Sequence, residues 1–317
     1  MLVVKSRRRW LLRGSMSSST KEGSSPIRDF VGYGGKSPID HWPNQARVAI
    51  NFVLNVEESS EPSVPDGDGY TENRLTDSTV NLGNDRDLAA EGLFEYGSRA
   101  GFWRIHREFQ RRKIPLTIFA CAVALERNPL ITKAVIEAGY DVCSHGYRWV
   151  NHRALDEASE REQIALAVSS FQQTLGKQPE GWYCRYGPSP NTRKLLIEQK
   201  GFVYDSDAYN DDLPYWVRQG TTRHLVVPYS LVSNDAKMMT MPSREWAEFI
   251  NDGIDALARD EETQPAMVSI GLHCRIAGNP SRFAGLLRVL DHVLKLPNVW
   301  IASRLDIAQY WSEVDER

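Results

Sequence analysis

The chain has little of what marks a secreted, membrane-spanning or nucleic-acid-binding protein. Its 317 residues include four cysteines, Cys121, Cys143, Cys184 and Cys274, each isolated in an apolar context. With no short paired spacing among them, a disulfide framework and a cysteine zinc cluster are both excluded, and buried free thiols in a reducing compartment are expected. No apolar run approaches membrane-spanning length, and Trp10-Leu11-Leu12 is too short for a secretory core. Neither charge sign dominates: 38 Lys and Arg stand against 41 Asp and Glu, a formal charge of -3. No basic stripe tracks a phosphate backbone, so nucleic acid is excluded as a partner. A Gly-rich phosphate loop, a Gly-x-Ser-x-Gly elbow and a local Cys/His signature are all missing, which argues against phosphoryl transfer and covalent acyl-enzyme chemistry.

What is present divides the chain in two. Arg7, Arg8, Arg9 and Arg13 stand among serines with no acidic residue before Glu22, so residues 1–27 read as a disordered Arg/Ser-rich leader. The expected location is the cytoplasm, with a mitochondrial leader as the alternative. From residue 28 to 317, β-branched apolar runs alternate with amphipathic stretches: about eight strands and about seven helices with no linker, the pattern of one α/β barrel, closed or nearly so. Strands are expected at 47–55, 115–121, 140–144, 181–184, 202–206, 224–230, 267–273 and 299–302. Helices are expected at 97–112, 129–138, 157–175, 190–200, 243–259, 280–295 and 304–312. Residues 59–92, rich in Asp, Gly, Ser and Asn, read as a loop over one face.

Barrel chemistry gathers where strands end. The polar residues there are Asn55, Glu57, Glu58, His145, Arg185, Asp205, Asp207, His273 and Arg275. Glu57 and Glu58 follow the first strand, so one carboxylate can enter the mouth while the other faces a loop or helix end. His145 opens Ser144-His145-Gly146-Tyr147-Arg148-Trp149, where an indole stands at the position a His-x-x-x-His metal loop gives to its second ligand. His273 ends an apolar strand. Two histidines and two glutamates at one rim meet the needs of hydrolysis: a base for water, an acid for the leaving group, donors for an oxyanion. Arg185 is expected to orient a carboxylate or bind carbonyls. The acidic run Asp205 to Asp212 reads as capping and turn, and most of the tryptophans as core.

Taken together, Asn55-Val56-Glu57-Glu58, the 144–149 loop, the turn after Gly181-Trp182-Tyr183 and Ile270-Gly271-Leu272-His273 resemble the motifs of the polysaccharide deacetylase (NodB-homology) superfamily. Most closely they resemble its purine-catabolism branch, the allantoinases of that type. The resemblance implies a distorted (β/α) barrel, and the branch implies hydrolysis of the hydantoin ring amide of allantoin to allantoate without a metal. In that scheme Glu57 is the base, Glu58 orients it and His145, and His273 is the acid or oxyanion donor. Asn55, Arg148, Trp149, Arg185 and Arg275 would bind substrate, the indole forming a pocket wall. No cofactor is implied; zinc is the alternative, with His152 as an imaginable substitute ligand, otherwise read as a surface or helix-start histidine. The expected partner is a small molecule, with no membrane contact, and the resemblance implies a homo-oligomer, a tetramer. Val56 departs from the Tyr usual in the branch, and the turn carrying Arg185 is one residue longer. The rival activities are a metal-dependent chitin or polysaccharide deacetylase and a cyclic imide hydrolase; the rival from another class is a non-catalytic binding barrel.

Overall fold

Residues 48–56, Val-Ala-Ile-Asn-Phe-Val-Leu-Asn-Val, have the composition of a strand covered on both faces. In the computed structural model they form β1 (Val48–Val56), buried throughout. The structure describes residues 28–80, 82–259 and 264–315. The expected leader, 1–27, lies outside the described residues. Two units divide at Val31: the first, Met1–Val31, retains Arg28 over the ring of Phe30, and the second, Gly32–Arg317, carries the sheet.

After β1 come α1 (Leu88–Tyr96), a π-helical turn (Gly97–Gly101), α2 (Phe102–Arg112), β2 (Thr117–Ala120), α3 (Ala122–Arg127) and α4 (Pro129–Glu137). Then follow β3 (Asp141–Ser144), α5 (Glu157–Leu175), β4 (Gly181–Trp182), α6 (Thr192–Gln199), β5 (Tyr204–Asp205), β6 (Tyr215–Gln219) and β7 (Thr222–Val226). The chain ends with α7 (Ser243–Arg259), β8 (Ala266–His273), α8 (Pro280–Val293), β9 (Val299–Ile301) and α9 (Arg304–Asp315). Helix ends follow local chemistry. Asp156 caps α5 by accepting from the Ser159 N–H, and Gly176, at φ 76°, closes it.

The strands make one curled sheet in the order β6-β7-β5-β4-β3-β2-β1-β8, with β9 on β1, parallel except for the β6–β7 hairpin. It is a distorted half-barrel in which β8 and β6 are edges. The hairpin explains the open seam, because its antiparallel outer strand is not followed by a crossover helix that would carry the sheet round. Alternation along β1 sends Val48, Ile50, Phe52, Leu54 and Val56 into the core under the helices. Ala49 and Val53 face inward, among Phe119, Tyr204 and Tyr229.

Arg304, wholly buried, spans that interior. Its guanidinium donates to Asn51 Oδ1 at 3.0 Å and Ser269 Oγ at 2.8 Å on the β1–β8 side, and to Ser206 Oγ and the Pro228 carbonyl at 2.9 Å on the β5–β7 side. The charge thus joins the two sides of the seam by hydrogen bonds.

Candidate active site

Strand register builds the rim. Val56 pairs with Ala120, Ala120 with Ser144, Ser144 with Trp182, and Trp182 with Asp205, while Asn55 pairs with His273. Residues one step beyond these ends therefore stand at one level, and Glu57 and His145 meet there. Alternation separates the two glutamates. Glu57 faces the interior, and Glu58 lies beneath the π turn, where any Cβ on Gly97 would strike its carboxylate. Gly101 is equally constrained, its missing Cβ leaving room for the Cys274 carbonyl. The π turn lets α1 and α2 lie against both the first-strand carboxylates and the turn after β8.

All four carboxylate oxygens of the pair have donors. Glu57 Oε1 faces His145 Nε2 at 3.2 Å and His273 Nε2 at 3.7 Å, and its Oε2 takes Arg275 Nη2 at 2.9 Å. Glu58 Oε1 takes Arg275 Nη1 at 3.2 Å, and Oε2 takes the Glu57 N–H at 3.2 Å. Burial alone would raise the Glu57 carboxyl, but His273, Arg275 and His145 outweigh it and hold it well below the usual carboxylate range. Glu58 goes the other way, raised by burial and by Glu57 against the pull of Arg275.

The histidines are fixed from behind. His145 stacks on Tyr183 with ring centroids 5.2 Å apart, and its Nδ1 donates to the Tyr183 carbonyl at 2.8 Å. A carbonyl only accepts, so Nδ1 carries a hydrogen and Nε2 is the nitrogen turned toward Glu57. His273 Nδ1 donates to Asp235 Oδ1 at 2.6 Å, while Asp235 Oδ2 accepts the His273 and Ala277 N–H groups at 2.7 and 3.0 Å. Burial works against the His273 imidazolium, yet Asp235 and Glu57 lift its pKa above 6.5. A carboxyl pushed down beside an imidazole pushed up is a separation of the kind that suits a base and an acid.

Residues 59–80 and 82–87 roof this cluster as the composition of the loop suggested, although α1 begins at Leu88 inside the stretch read as irregular. Ser60 donates its hydroxyl to the Glu57 carbonyl and accepts the Trp149 N–H at 3.0 Å. Arg148 grips Asp68 with two bonds of 2.7 Å and the Glu61 carbonyl at 3.0 Å. Arg185 pairs with Glu72 and donates to the Trp149 carbonyl at 2.5 Å and the Tyr186 hydroxyl at 2.7 Å. Its guanidinium lies 3.6 Å from the centroid of the Trp149 ring.

These contacts correct several expectations. Arg148, Arg185 and Arg275 do not present open forks to a substrate: each is committed to a carboxylate of its own chain. Trp149 is not an open pocket wall, since it is buried against Arg185, with Phe94 and Arg275 also beside it. Asn55 donates to the Leu272 carbonyl at 2.9 Å, bridging β1 and β8. Glu58 contacts Arg275, not His145. His152 opens a short 3-10 turn, as a helix-start histidine would, but is buried and not on the surface, its Nδ1 3.3 Å from Glu160. That carboxylate also takes Ser189 and Thr192 at 2.5 Å, which is a packing role.

Asp205 is a buried partner of Arg193, at 2.6 Å, and His224, at 3.1 Å, more than a turn residue; Asp211 accepts from the Leu213 N–H as a turn residue does. Trp42, Trp149, Trp182 and Trp246 are core, and all four cysteines are buried and free.

As a metal centre the donor set fits poorly. A divalent ion needs three or four converging lone pairs. Among the described residues no group of three or more His, Cys, Asp and Glu side chains is so arranged. Here Arg275 already places a fixed positive charge between Glu57 and Glu58, and Trp149 supplies no lone pair.

Asp235, Glu61 and Glu72 were not found from the sequence. Asp235 lies in a 3-10 turn capped by Asn234, with no local pattern pointing to His273.

Comparison with known proteins agrees with this geometry. The family model described as Polysaccharide deacetylase matches residues 89–204. A polysaccharide deacetylase homologue of Schizosaccharomyces pombe is 38% identical over 311 residues, covering 90% of this chain and 97% of that protein. The crystal structure of a probable polysaccharide deacetylase from Pseudomonas aeruginosa PAO1 is similar, with 42% identity and a TM-score of 0.84 over 90% of this chain and 98% of that one. The crystal structure of the PuuE allantoinase gives 41% identity and a TM-score of 0.85 over 92% of this chain and 98% of that one. On this fold, these strand-end residues and a relative matched over nearly its whole length, the chain belongs to the polysaccharide deacetylase family of hydrolases acting on amide bonds.

Proposed function

We propose that this chain opens the hydantoin ring of allantoin to give allantoate, without a metal cofactor. The observation that carries the reading is Arg275, whose single guanidinium serves both Glu57 and Glu58 where metal-dependent chemistry would need a cation held by free lone pairs. Similarity to the PuuE allantoinase over 92% of the chain supports it.

Water placed at Glu57 adds to the ring carbonyl carbon, its proton passing to that carboxylate. A carboxylate held so low is a weak base, so addition requires the oxyanion to be stabilised as it forms, and the imidazolium of His273 meets that need. The C–N bond then breaks, His273 Nε2 protonates the departing nitrogen, the new carboxylic acid yields its proton to restore the histidine, and Glu57 gives up the proton it took from water to the solvent as the product leaves. Asp235 holds His273 in position throughout. Glu57, His145 and His273 are 1, 3 and 4% exposed, so entry of substrate requires the roof to shift.

The family's name favours a second reading, removal of an N-acetyl group from a sugar, and the same groups would serve a cyclic imide. The test is product formation from allantoin, a cyclic imide and an acetylated chitin oligomer, followed by NMR. Allantoate as the main product is expected; acetate from the oligomer with intact allantoin would overturn the reading. A homo-oligomer, a tetramer by resemblance, belongs to the same proposal and is read by light scattering.

A further inference from the structure

Apart from Asp207, whose Oδ1 takes the Cys184 N–H at 2.8 Å, the acidic side chains above the strand ends are nearly all answered by a cation: Glu57 and Glu58 by Arg275, Glu72 by Arg185, Asp68 by Arg148, Asp66 by Arg127 and Asp235 by His273. Glu61 is not. It is 7% exposed, and among the described residues its Oε2 has no hydrogen-bond partner. Its place in the chain is tightly held. Ser60, before it, is bonded to the backbone of both Glu57 and Trp149, and the carbonyl of Glu61 itself receives Arg148.

Burial pushes the Glu61 carboxyl up to about 7; Glu58 adds to the rise and Arg275 opposes it, so the group lies within the electrostatic reach of the reacting cluster. A buried carboxylate oxygen without a donor is unfavourable until one arrives, and arriving N–H groups stabilise the ionised form. Three arginines of the site are already committed to carboxylates, so what the site lacks is not an acceptor's partner of positive charge but a donor for Glu61.

From this we infer that Glu61 is a specificity residue that accepts the N–H groups of a ureido arm on the substrate. A urea group offers two parallel N–H donors, and Oε2, the oxygen of Glu61 left without a partner, has two lone pairs to receive them, while backbone N–H groups of Ser59 and Glu61 hold the carboxylate in place. The inference rests on the ring-amide reading above. It gives the site a means to tell a ureido-substituted hydantoin from a bare cyclic imide, because a substrate without the arm leaves the acceptor unanswered.

The test compares wild type and Glu61→Gln on allantoin, which carries the arm, and on hydantoin, which keeps the ring and lacks it, hydantoin being followed as a competitive inhibitor. The variant is expected to lose about 10- to 100-fold in kcat/KM for allantoin, mostly through KM, the range of a charge-assisted hydrogen bond. Its Ki for hydantoin should change at least tenfold less. Equal changes for both ligands, or an unchanged KM for allantoin, would overturn the inference while leaving the ring-amide reading intact. Wild-type protein that does not open allantoin overturns both. Should Glu61→Gln fail to fold, Glu61→Asp keeps the charge and withdraws it by one methylene, and the same split is expected.

Discussion

His273 is held between two carboxylates: Asp235 takes its Nδ1 hydrogen at 2.6 Å, and Glu57 faces its Nε2 at 3.7 Å. The first contact fixes the ring and favours its protonated form; the second sets the ring against the carboxylate at the end of the first strand.

Asp235→Asn keeps the shape of that contact and removes the charge. With Asp235 neutral, burial pulls His273 down, so the alkaline limb of kcat/KM should move to lower pH and kcat at neutral pH should fall about 10- to 100-fold. A pH–rate profile of the variant checks both. A loss of rate with an unmoved limb would assign Asp235 a packing role only.

Wild-type protein has its own pH signature. In the proposed scheme His273 acts protonated, and its folded pKa is raised above 6.5, so activity should be lost as pH rises through that raised value and not below 6.5. Glu57 must be ionised, and its pKa lies below 4.5, so any acid limb from this group falls below that pH. The contribution of the raised histidine to stability has the same sign: fully present below 6.5, lost as pH climbs through the folded value. Activity that rises steadily from pH 6 to 9 would contradict the assignment.

Arg275 is predicted to matter for folding as much as for rate. Arg275→Met leaves two wholly buried carboxylates without their cation, a change that costs about 3–5 kcal/mol. Urea denaturation should show the loss, and protonation of Glu58 in acid should relieve part of it.

Arg304→Met tests the seam. The variant leaves acceptors on both sides of the sheet unpaired, at about 1–3 kcal/mol each. A melting temperature close to that of wild type would show that the interior charge is dispensable to the half-barrel.

The legible parts of this molecule are those whose causes are local. β1 and β8 were visible because buried parallel strands are continuously apolar, and α5 and α7 matched from end to end, α5 between Asp156 and Gly176. Glu57, Glu58, His145 and His273 were visible because each sits at or just past a strand end, where register alone brings them level. α3 was missed because six residues show too little period, and β6 because its partner is a hairpin neighbour in a chain that otherwise alternates strand with helix. The carboxylate partners of the arginines, Asp68, Glu72 and the Glu57–Glu58 pair, were not legible because they lie far off in sequence. Asp235 is 38 residues from His273 and carries no motif. Such pairings are products of the chain's return and cannot be read from either end alone.

The central claim is that the Arg275 guanidinium stands in for a metal between the two glutamates. Its most direct test is kcat/KM for the opening of allantoin before and after exhaustive chelation, with bound metal measured by elemental analysis. The account predicts the same rate in both samples and no gain on adding zinc; a rate that disappears with the metal and returns with zinc would contradict it.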